Sequence, residues 1–397
     1  MSGHEILVLG AGIAGTLAAL QLSDAGFDVA LIDRAGEVMA GTSRWNEGKI
    51  HLGYCYLGDA SMQSAHLMLE GASCFVDEIE RLTGTAFREA WFSEPVVYLV
   101  DPDTLFPAEL LWARSRQLAA VLEERRASNP GLLRWVGGRP TLQRLTPAAA
   151  ERATGLDRIA DAWRTTERAV APGPVALAIR GALKARGISL IAATVTGVSA
   201  QPMGWVVECG SERISARAVI NATWESRALI DRYVTGHLAP CSIRFRCAAF
   251  GQGLVDMKDL APSTRILGRF GDVTPYGNGE AYFSWYPAGL TALSDDGCPP
   301  EPPGIDPGRL LQQMLDGLGV DRAVLEEPTA RWQVHGGHVV AYGQGDIDHA
   351  ASPLHRRSRP DAIELAPGYV SVDTGKYSLG PLMAARAADL VQRHLQS

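Results

Sequence analysis

The first 33 residues alternate between apolar runs and glycine-rich turns. Residues 6–9 form a short apolar run, residues 17–22 carry leucines at helical spacing, and residues 29–32 form a second apolar run. Short apolar runs bounded by turns are typical of buried strands, and the segment between them has the period of a helix. The pattern therefore predicts a strand–helix–strand unit.

Two later stretches show related patterns. Residues 172–226 predict a helix, a strand up to Val195, a β-meander and a buried strand over Ala218–Asn221. Residues 368–391 predict a short strand up to Asp373, a glycine-rich turn and a helix from about Gly380. Alternation in "AYFSWYP" predicts an antiparallel strand in a separate region of the chain.

Composition argues against several kinds of binding partner. The 37 basic and 44 acidic residues give a net charge of −7, which argues against a nucleic-acid or anionic-membrane surface. The densest basic cluster, Arg356, Arg357 and Arg359, is interpreted as a solvated loop. The uncharged run Ile6–Leu22 is shorter than the roughly 20 residues of a membrane span. Six cysteines without a C-x-x-C pair predict free thiols in a reducing cytoplasm and no metal site.

Glycines at fixed spacing follow the first predicted strand. Gly10 permits a tight turn, Gly12 lets the backbone approach a pyrophosphate, and Gly15 lets the helix pack on the strand. Asp33 ends the second strand, where a carboxylate accepts hydrogen bonds from a ribose and disfavours NADP. The pattern predicts a dinucleotide site with the contacts Gly10, Gly12, Ile13, Ala14, Gly15, Asp33 and Arg34.

The next segment is "GTSRWNEGKIHLGYCYL", residues 41–57, where an NAD domain would continue with strand–helix units. Its Gly48-x-Ile50-His51-x-Gly53 pattern resembles the 2-hydroxyglutarate oxidase and glycerol-3-phosphate dehydrogenase branches of the D-amino-acid oxidase-like superfamily. The resemblance extends over residues 1–60, 165–235 and 340–397. It implies an α/β fold: a Rossmann-like FAD-binding domain of glutathione-reductase type and an α+β substrate domain on an antiparallel sheet.

The resemblance also implies domain boundaries and cofactor contacts. FAD would bind to residues 1–75, 165–238 and 340–397, and substrate to residues 76–164 and 239–339. Non-covalent FAD is favoured over covalent FAD. The implied contacts beyond the glycine turn are Thr42, Ser43, Gly48, Lys49, Ile50, Val195, Ala222, Thr223, Gly375, Lys376, Ser378, Leu379 and Gly380. The family usually has glycine where this chain has Trp224.

The implied reaction is hydride transfer to flavin N5 from a C–H beside an amine or hydroxyl. The substrate would be small, polar and anionic, and O2 or another acceptor would reoxidise the flavin. Three alternatives remain: a flavin dehydrogenase for a 2-hydroxy acid or polyol, a monooxygenase that tailors a natural product with a separate reductase, and a non-enzymatic flavin-binding module. Residues 270–280 resemble the Gly-Asp motif of aromatic hydroxylases, but we interpret them as a hairpin loop.

Four residues near the expected flavin are candidates for catalysis: Lys49, His51, Lys376 and Tyr377. The chain has only four lysines, and Lys49 and Lys376 both fall in flavin-facing segments, where an ammonium could assist the reaction with O2. His51 has three interpretations: a base, a covalent flavin attachment point, or a hydrogen-bonding partner of the cofactor.

A carboxylate or phosphate substrate needs a cationic clamp. Arg244 and Arg246 alternate along one predicted strand, and Arg331 lies near the family's arginine position but lacks the following proline. Tyr54 and His335 complete the predicted substrate contacts. The glycine pair between His335 and His338 predicts a turn and a structural role rather than a metal site.

Overall fold

The computed structural model describes residues 3–129, 131–136, 142–254, 257, 260–302, 304–321, 330–343, 345–357 and 359–396. Its strands are β1 Gly3–Leu9, β2 Val29–Asp33, β3 Val97–Val100, β4 Leu142–Leu145, β5 Asp161–Thr165, β6 Ser189–Ala192, β7 Gly197–Gln201, β8 Gly204–Cys209, β9 Glu212–Asn221, β10 Cys241–Gln252, β11 Ser263–Arg265, β12 Gly271–Pro275, β13 Glu280–Trp285, β14 Leu290–Ser294, β15 Arg331–Tyr342, β16 Ala362–Ala366 and β17 Tyr369–Val372.

The helices connect these strands and cover their faces. They are α1 Ile13–Asp24, α2 Gln63–Thr83, α3 Ala108–Ser128, α4 Pro147–Thr154, α5 Pro172–Ala185, α6 Arg227–Thr235, α7 Tyr286–Gly289, α8 Pro307–Leu318 and α9 Gly380–Gln396. Among the described residues, no helix combines the length and apolar character needed to cross a membrane.

The first sheet has a parallel centre in the order β17-β9-β1-β2-β6. Strand β16 extends it antiparallel at one edge, and β7 and β8 form a meander that pairs back onto β9. Helix α1 is buried on nearly every side, as its apolar sequence requires. This is the Rossmann-like arrangement that the sequence predicted, with the glycine turn at the carboxyl end of β1.

The second sheet runs in the order β14-β10-β13-β12-β11-β3-β5-β4, and β15 pairs with β10. All its pairings are antiparallel except that of β11 with β3. Residues 270–280 supply β12 and the turn into β13, so the predicted hairpin is present. The predicted α/β class with a second, mainly antiparallel sheet is confirmed.

The predicted domain boundaries follow the two sheets. Every strand of the first sheet falls within residues 1–75, 165–238 or 340–397. Strand β15 continues to Tyr342, past the predicted boundary at 339. The boundaries stay a prediction.

The predicted turn between His335 and His338 is wrong, because both residues lie inside β15. The strand pairs with β10 along its whole length, from Arg331 to Tyr342. The two glycines permit close approach instead: a Cβ on Gly336 would lie 2.3 Å from the Phe245 ring. The glycines therefore serve packing across the strand.

Candidate active site

A deep cavity lies between the carboxyl edge of the first sheet and one face of the second. Its lining begins with the turns that follow β1, β2 and β9, and it continues through the 40–56 segment and the turn before α9. The opposite wall comes from β10, β11, β12, β13 and β15. In open α/β sheets, ligands bind at this carboxyl edge.

The nucleotide end of the cavity is built from close backbone contacts. Gly10 has φ +95°, and a Cβ there would lie 2.5 Å from the Ala222 carbonyl oxygen. The Ile13 N–H at the start of α1 donates to Ser43 Oγ at 3.0 Å. The Asp33 carboxylate accepts from the Ala11 N–H at 2.8 Å, which holds it at the end of β2. These groups fit a dinucleotide: backbone can approach a pyrophosphate, and carboxylate lone pairs remain for a ribose.

Most of the predicted cofactor contacts line this cavity. They are Gly10, Gly12, Ile13, Ala14, Asp33, Arg34, Thr42, Ser43, Lys49, Val195, Ala222, Thr223, Gly375 and Lys376. The other six, Gly15, Gly48, Ile50, Ser378, Leu379 and Gly380, lie behind the lining. Close packing explains the position of two of them: a Cβ on Gly15 would meet the Gly10 carbonyl oxygen at 2.0 Å, and one on Gly48 the Val170 carbonyl oxygen at 1.8 Å. Contact of these six residues with the cofactor stays a prediction.

Trp224 lines the cavity in a backbone conformation that favours glycine. Its φ is +55°, in the left-handed region, which costs a non-glycine residue about 1–2 kcal/mol. The indole N–H donates to the His338 carbonyl oxygen at 2.8 Å. A large side chain therefore stands at a backbone position whose conformation favours glycine.

His338 fastens β15 to the cofactor side of the cavity. Its backbone N–H donates to Thr42 Oγ1 at 3.1 Å, and its imidazole Nδ1 lies 3.6 Å from Glu225 Oε1. With the Trp224 bond, one residue of the second sheet contacts two segments of the cofactor edge. The position of the second sheet is thereby fixed relative to the cofactor segments.

Lys49 is buried and ion-paired. Its Nζ lies 2.6 Å from Asp272 Oδ1 on β12 and also donates to Thr264 on β11. Burial disfavours the ammonium, but the charges of Asp272, Glu47 and Glu167 outweigh it and raise the pKa of Lys49. Lys49 is therefore a fixed positive charge whose field is largely offset by Asp272.

His51 lies among two carboxylates and a thiol. Residues 48–50 run beside residues 168–170, which brings Glu167 to 3.6 Å from His51 Nδ1. Glu47 Oε1 lies 3.7 Å from Nε2, and Cys55 Sγ lies 3.4 Å from Nδ1. Burial works against the imidazolium, but the Cys55 sulfur and both carboxylates raise the pKa of His51 well above its usual value.

Glu167 holds the backbone next to His51 in place. It is fully buried, and it accepts hydrogen bonds from the Leu52 N–H at 2.6 Å and from the Tyr98 hydroxyl. Its carboxylate therefore fixes the backbone just after His51. Sequence analysis missed Glu167, Asp272 and Cys55.

A cluster of arginines occupies the substrate side of the cavity. Arg244 and Arg246 extend from β10, and Arg357 follows the short turn Pro353–His355. The Arg246 guanidinium donates to the Tyr282 hydroxyl at 2.5 Å and lies 3.7 Å from Glu47. Arg244 is only 2% exposed, and its Nε and Nη1 have no hydrogen-bond partner.

Three predicted substrate residues lie outside the cavity lining, and one arginine predicted to be solvated lies within it. Tyr54, Arg331 and His335 lie outside the lining: Tyr54 packs fully buried against Tyr98, Arg331 is exposed at the start of β15, and His335 stacks on Trp45. Arg357, predicted to be solvated, is only 7% exposed and lines the cavity. The charge run gave no sign that its middle residue turns inward, while Arg356 and Arg359 stay exposed.

The comparisons now decide the family. The profile of the FAD dependent oxidoreductase family, DAO, matches residues 5–283. The chain belongs to this family. It is therefore an FAD-dependent oxidoreductase, as the resemblance of residues 41–57 predicted.

The sequence is similar to individual curated proteins over a short stretch, whereas the fold is similar to solved structures over nearly the whole chain. A stretch of 51 residues is 45% identical to the D-amino acid dehydrogenase of Rhizobium johnstonii, covering 13% of this chain and 12% of that protein. The fold is similar to glycine oxidase from Geobacillus kaustophilus, with a TM-score of 0.70, 16% identity, and 99% and 95% of the two chains covered. It is also similar to L-proline dehydrogenase from P. horikoshii, with a TM-score of 0.67, 17% identity, and 99% and 94% covered.

Proposed function

We propose that this enzyme oxidises the C–H beside the amine of a small amino acid or other carboxylate-bearing amine, with Arg244 binding the carboxylate. The unpaired, buried guanidinium of Arg244 carries the proposal. A buried charge is costly without a partner, and a carboxylate matches the planar fork of arginine. The D-amino acid dehydrogenase, glycine oxidase and L-proline dehydrogenase similarities also support an amino acid.

We favour an amine over a hydroxyl because neither histidine predicted as a base from sequence suits that role, although His338 and His355 also line the cavity. Oxidation of an alcohol needs a base to remove the hydroxyl proton. The neighbours of His51 raise its pKa well above its usual value, which favours the imidazolium over the neutral imidazole that a base requires. His335 lies outside the cavity lining.

The arginines also set the protonation state of a bound amine. FAD, when bound, supplies the acceptor for the hydride of the substrate C–H. The charges of Arg244, Arg246 and Arg357 disfavour an ammonium beside them, so the amine binds in its neutral form. A neutral amine releases hydride without a strong base.

The cofactor proposed here is non-covalent FAD. The pyrophosphate would lie at Gly12 and Ser43, and the ribose at Asp33. His51 has both ring nitrogens near a carboxylate, and a protonated imidazole is a poor nucleophile for covalent attachment. O2 or another acceptor would reoxidise the flavin, with Lys376 beside it.

Anaerobic reduction of the FAD-loaded enzyme tests this function. We expect loss of oxidised-flavin absorbance with one or more amino acids, tried as both enantiomers, and no loss with 2-hydroxy acids of the same carbon skeleton. Arg244→Met should lower kred/Kd by about 100-fold. Exposed Arg331→Met is the matched control and should leave it unchanged. Reduction by hydroxy acids alone, or by NADPH, would refute the proposal.

A further inference from the structure

A second arginine in the cavity also lacks an anionic partner. Arg357 is 7% exposed, and its Nε is buried without a hydrogen-bond partner. Its Nη1 donates only to the neutral carbonyl oxygens of Leu354, at 3.1 Å, and Arg356, at 3.0 Å. Within the described residues, no carboxylate lies within ion-pair distance of Arg244 or Arg357, so two buried guanidinium charges are uncompensated.

The surrounding charges leave this imbalance in place. Arg246 already has Tyr282 and Glu47 as partners. Burial lowers the pKa of Arg244, the neighbouring Tyr286 raises it, and the positive charges of Arg357 and Arg246 lower it again. A single substrate carboxylate would offset only one of the two unpartnered charges.

An aromatic wall links the two arginine positions. The Tyr286 ring lies 5.8 Å from the Arg244 guanidinium carbon and 5.8 Å from the Phe270 ring. The Phe270 ring lies 6.4 Å from the ring of His355, two residues before Arg357. Both arginines thus flank this aromatic wall of the cavity, and two guanidinium groups in one cavity suit a molecule with two acidic groups.

We infer that the substrate carries a second anionic group, bound by Arg357, so that its class is an amine bearing two carboxylates. This inference rests on the proposed function for the amine and for the carboxylate at Arg244. The FAD phosphates cannot supply the second charge, because the dinucleotide contacts lie at Gly12 and Ser43, where neither arginine has a hydrogen bond.

Matched pairs of substrates test the second anion. Aspartate and glutamate, as both enantiomers, would be compared with their amides, and iminodiacetate with N-methylglycine, by anaerobic flavin reduction of the FAD-loaded enzyme. We expect kred/Kd to favour the dicarboxylate of a pair by about 100-fold, because a site built for a charged group rejects an isostere that lacks it. Equal values for acid and amide would overturn the inference and leave the proposed function standing.

Substitution of Arg357 tests whether this residue causes the preference for dicarboxylates over amides. Arg357→Met should reduce the dicarboxylate-to-amide ratio to about one, whereas Arg357→Lys should retain part of the ratio. Exposed Arg356→Met is the matched control and should retain the full ratio. FAD content and melting temperature would show that each variant is folded. A ratio that survives in Arg357→Met would overturn the assignment.

Binding of unreactive anions separates this inference from the proposed function. Succinate and glutarate should perturb the flavin spectrum at concentrations about 100-fold lower than propionate and butyrate, and Arg357→Met should remove the difference. If no amine reduces the flavin but the dianions keep this advantage, the amine chemistry is wrong and the second anion site stands. Equal affinity for mono- and dianions would overturn the second site.

Discussion

Lys49 Nζ lies 2.6 Å from Asp272 Oδ1 and forms a buried ion pair between the cofactor segment and the second sheet. The two residues are 223 positions apart in sequence. The Thr264 hydroxyl accepts a hydrogen bond from the same ammonium and donates one to Asp272 at 3.0 Å, so it bridges the two charged groups. The pair therefore joins segments that the sequence keeps far apart.

Removing one partner of this pair should destabilise the protein. Asp272→Asn removes the carboxylate that is ion-paired with a buried ammonium, so we expect the free energy of unfolding to fall by about 3 kcal/mol. Glu78→Gln is the control, because it breaks the exposed pair with Arg81 and should cost less than about 1 kcal/mol. Denaturant titration of both variants measures the difference, and equal costs would contradict the importance of burial here.

The reaction with O2 should depend more on Lys376 than on Lys49. Lys376 lines the cavity without a carboxylate in ion-pair distance among the described residues, whereas Asp272 offsets the charge of Lys49. We expect Lys376→Met to slow reoxidation of the reduced enzyme by about 100-fold. Exposed Lys184→Met should leave the rate unchanged. A double Lys49→Met, Lys376→Met variant with the normal rate would exclude both lysines.

Trp224 permits a direct test of backbone strain. Trp224→Ala and Trp224→Gly both remove the indole and its hydrogen bond to His338, but only glycine adopts φ +55° without backbone strain. We therefore expect the glycine variant to be more stable than the alanine variant by about 1 kcal/mol. Thermal unfolding of the two apoproteins gives the comparison, and a more stable alanine variant would argue against the left-handed backbone.

His51 should make stability depend on pH. Its folded-state pKa is raised, so its contribution is complete below the unfolded value of about 6.5 and is lost as pH rises through the folded value. The unfolding free energy of the wild type, minus that of His51→Asn, should therefore decline from about pH 6 upward. A difference that grows with pH would mean that His51 is neutral in the folded protein.

The flavin should leave the protein when it is denatured with acid. We expect the yellow colour in the supernatant after acid precipitation, because the nitrogens of His51 are engaged by Glu47 and Glu167. Colour retained in the pellet would show a covalent bond. Loss of that bond in His51→Ala or in Cys55→Ala would then identify the attachment residue.

Local patterns predicted the strands, helix and turns at the carboxyl edge of the first sheet. The glycine turn, Asp33 and the strand–helix–strand unit depend on residues close in sequence, and the backbone geometry of each is fixed by its own residue type. The same holds for Gly375 and Lys376 in the turn before α9. Such positions can be predicted without knowing how distant segments meet.

The substrate side could not be predicted in the same way. Glu167 reaches Leu52 across 115 positions, because residues 48–50 run beside residues 168–170. Arg357 belongs to the basic cluster Arg356, Arg357 and Arg359. Packing, and not composition, decides which of these arginines faces inward. Arg244 was a candidate only through strand alternation. That it lacks an ion-pair partner can be seen only when the residues around it in three dimensions are known.

The strand order of the first sheet has a consequence for synthesis of the chain. Strand β17 pairs with β9, Tyr369 beside Val219, and Gly380 at the start of α9 packs on Ile13. On the ribosome, this edge of β9 therefore stays unpaired until β17, Tyr369–Val372, has emerged. An open edge of this kind invites pairing with other chains, so nascent or prematurely terminated chains should aggregate unless a chaperone covers it.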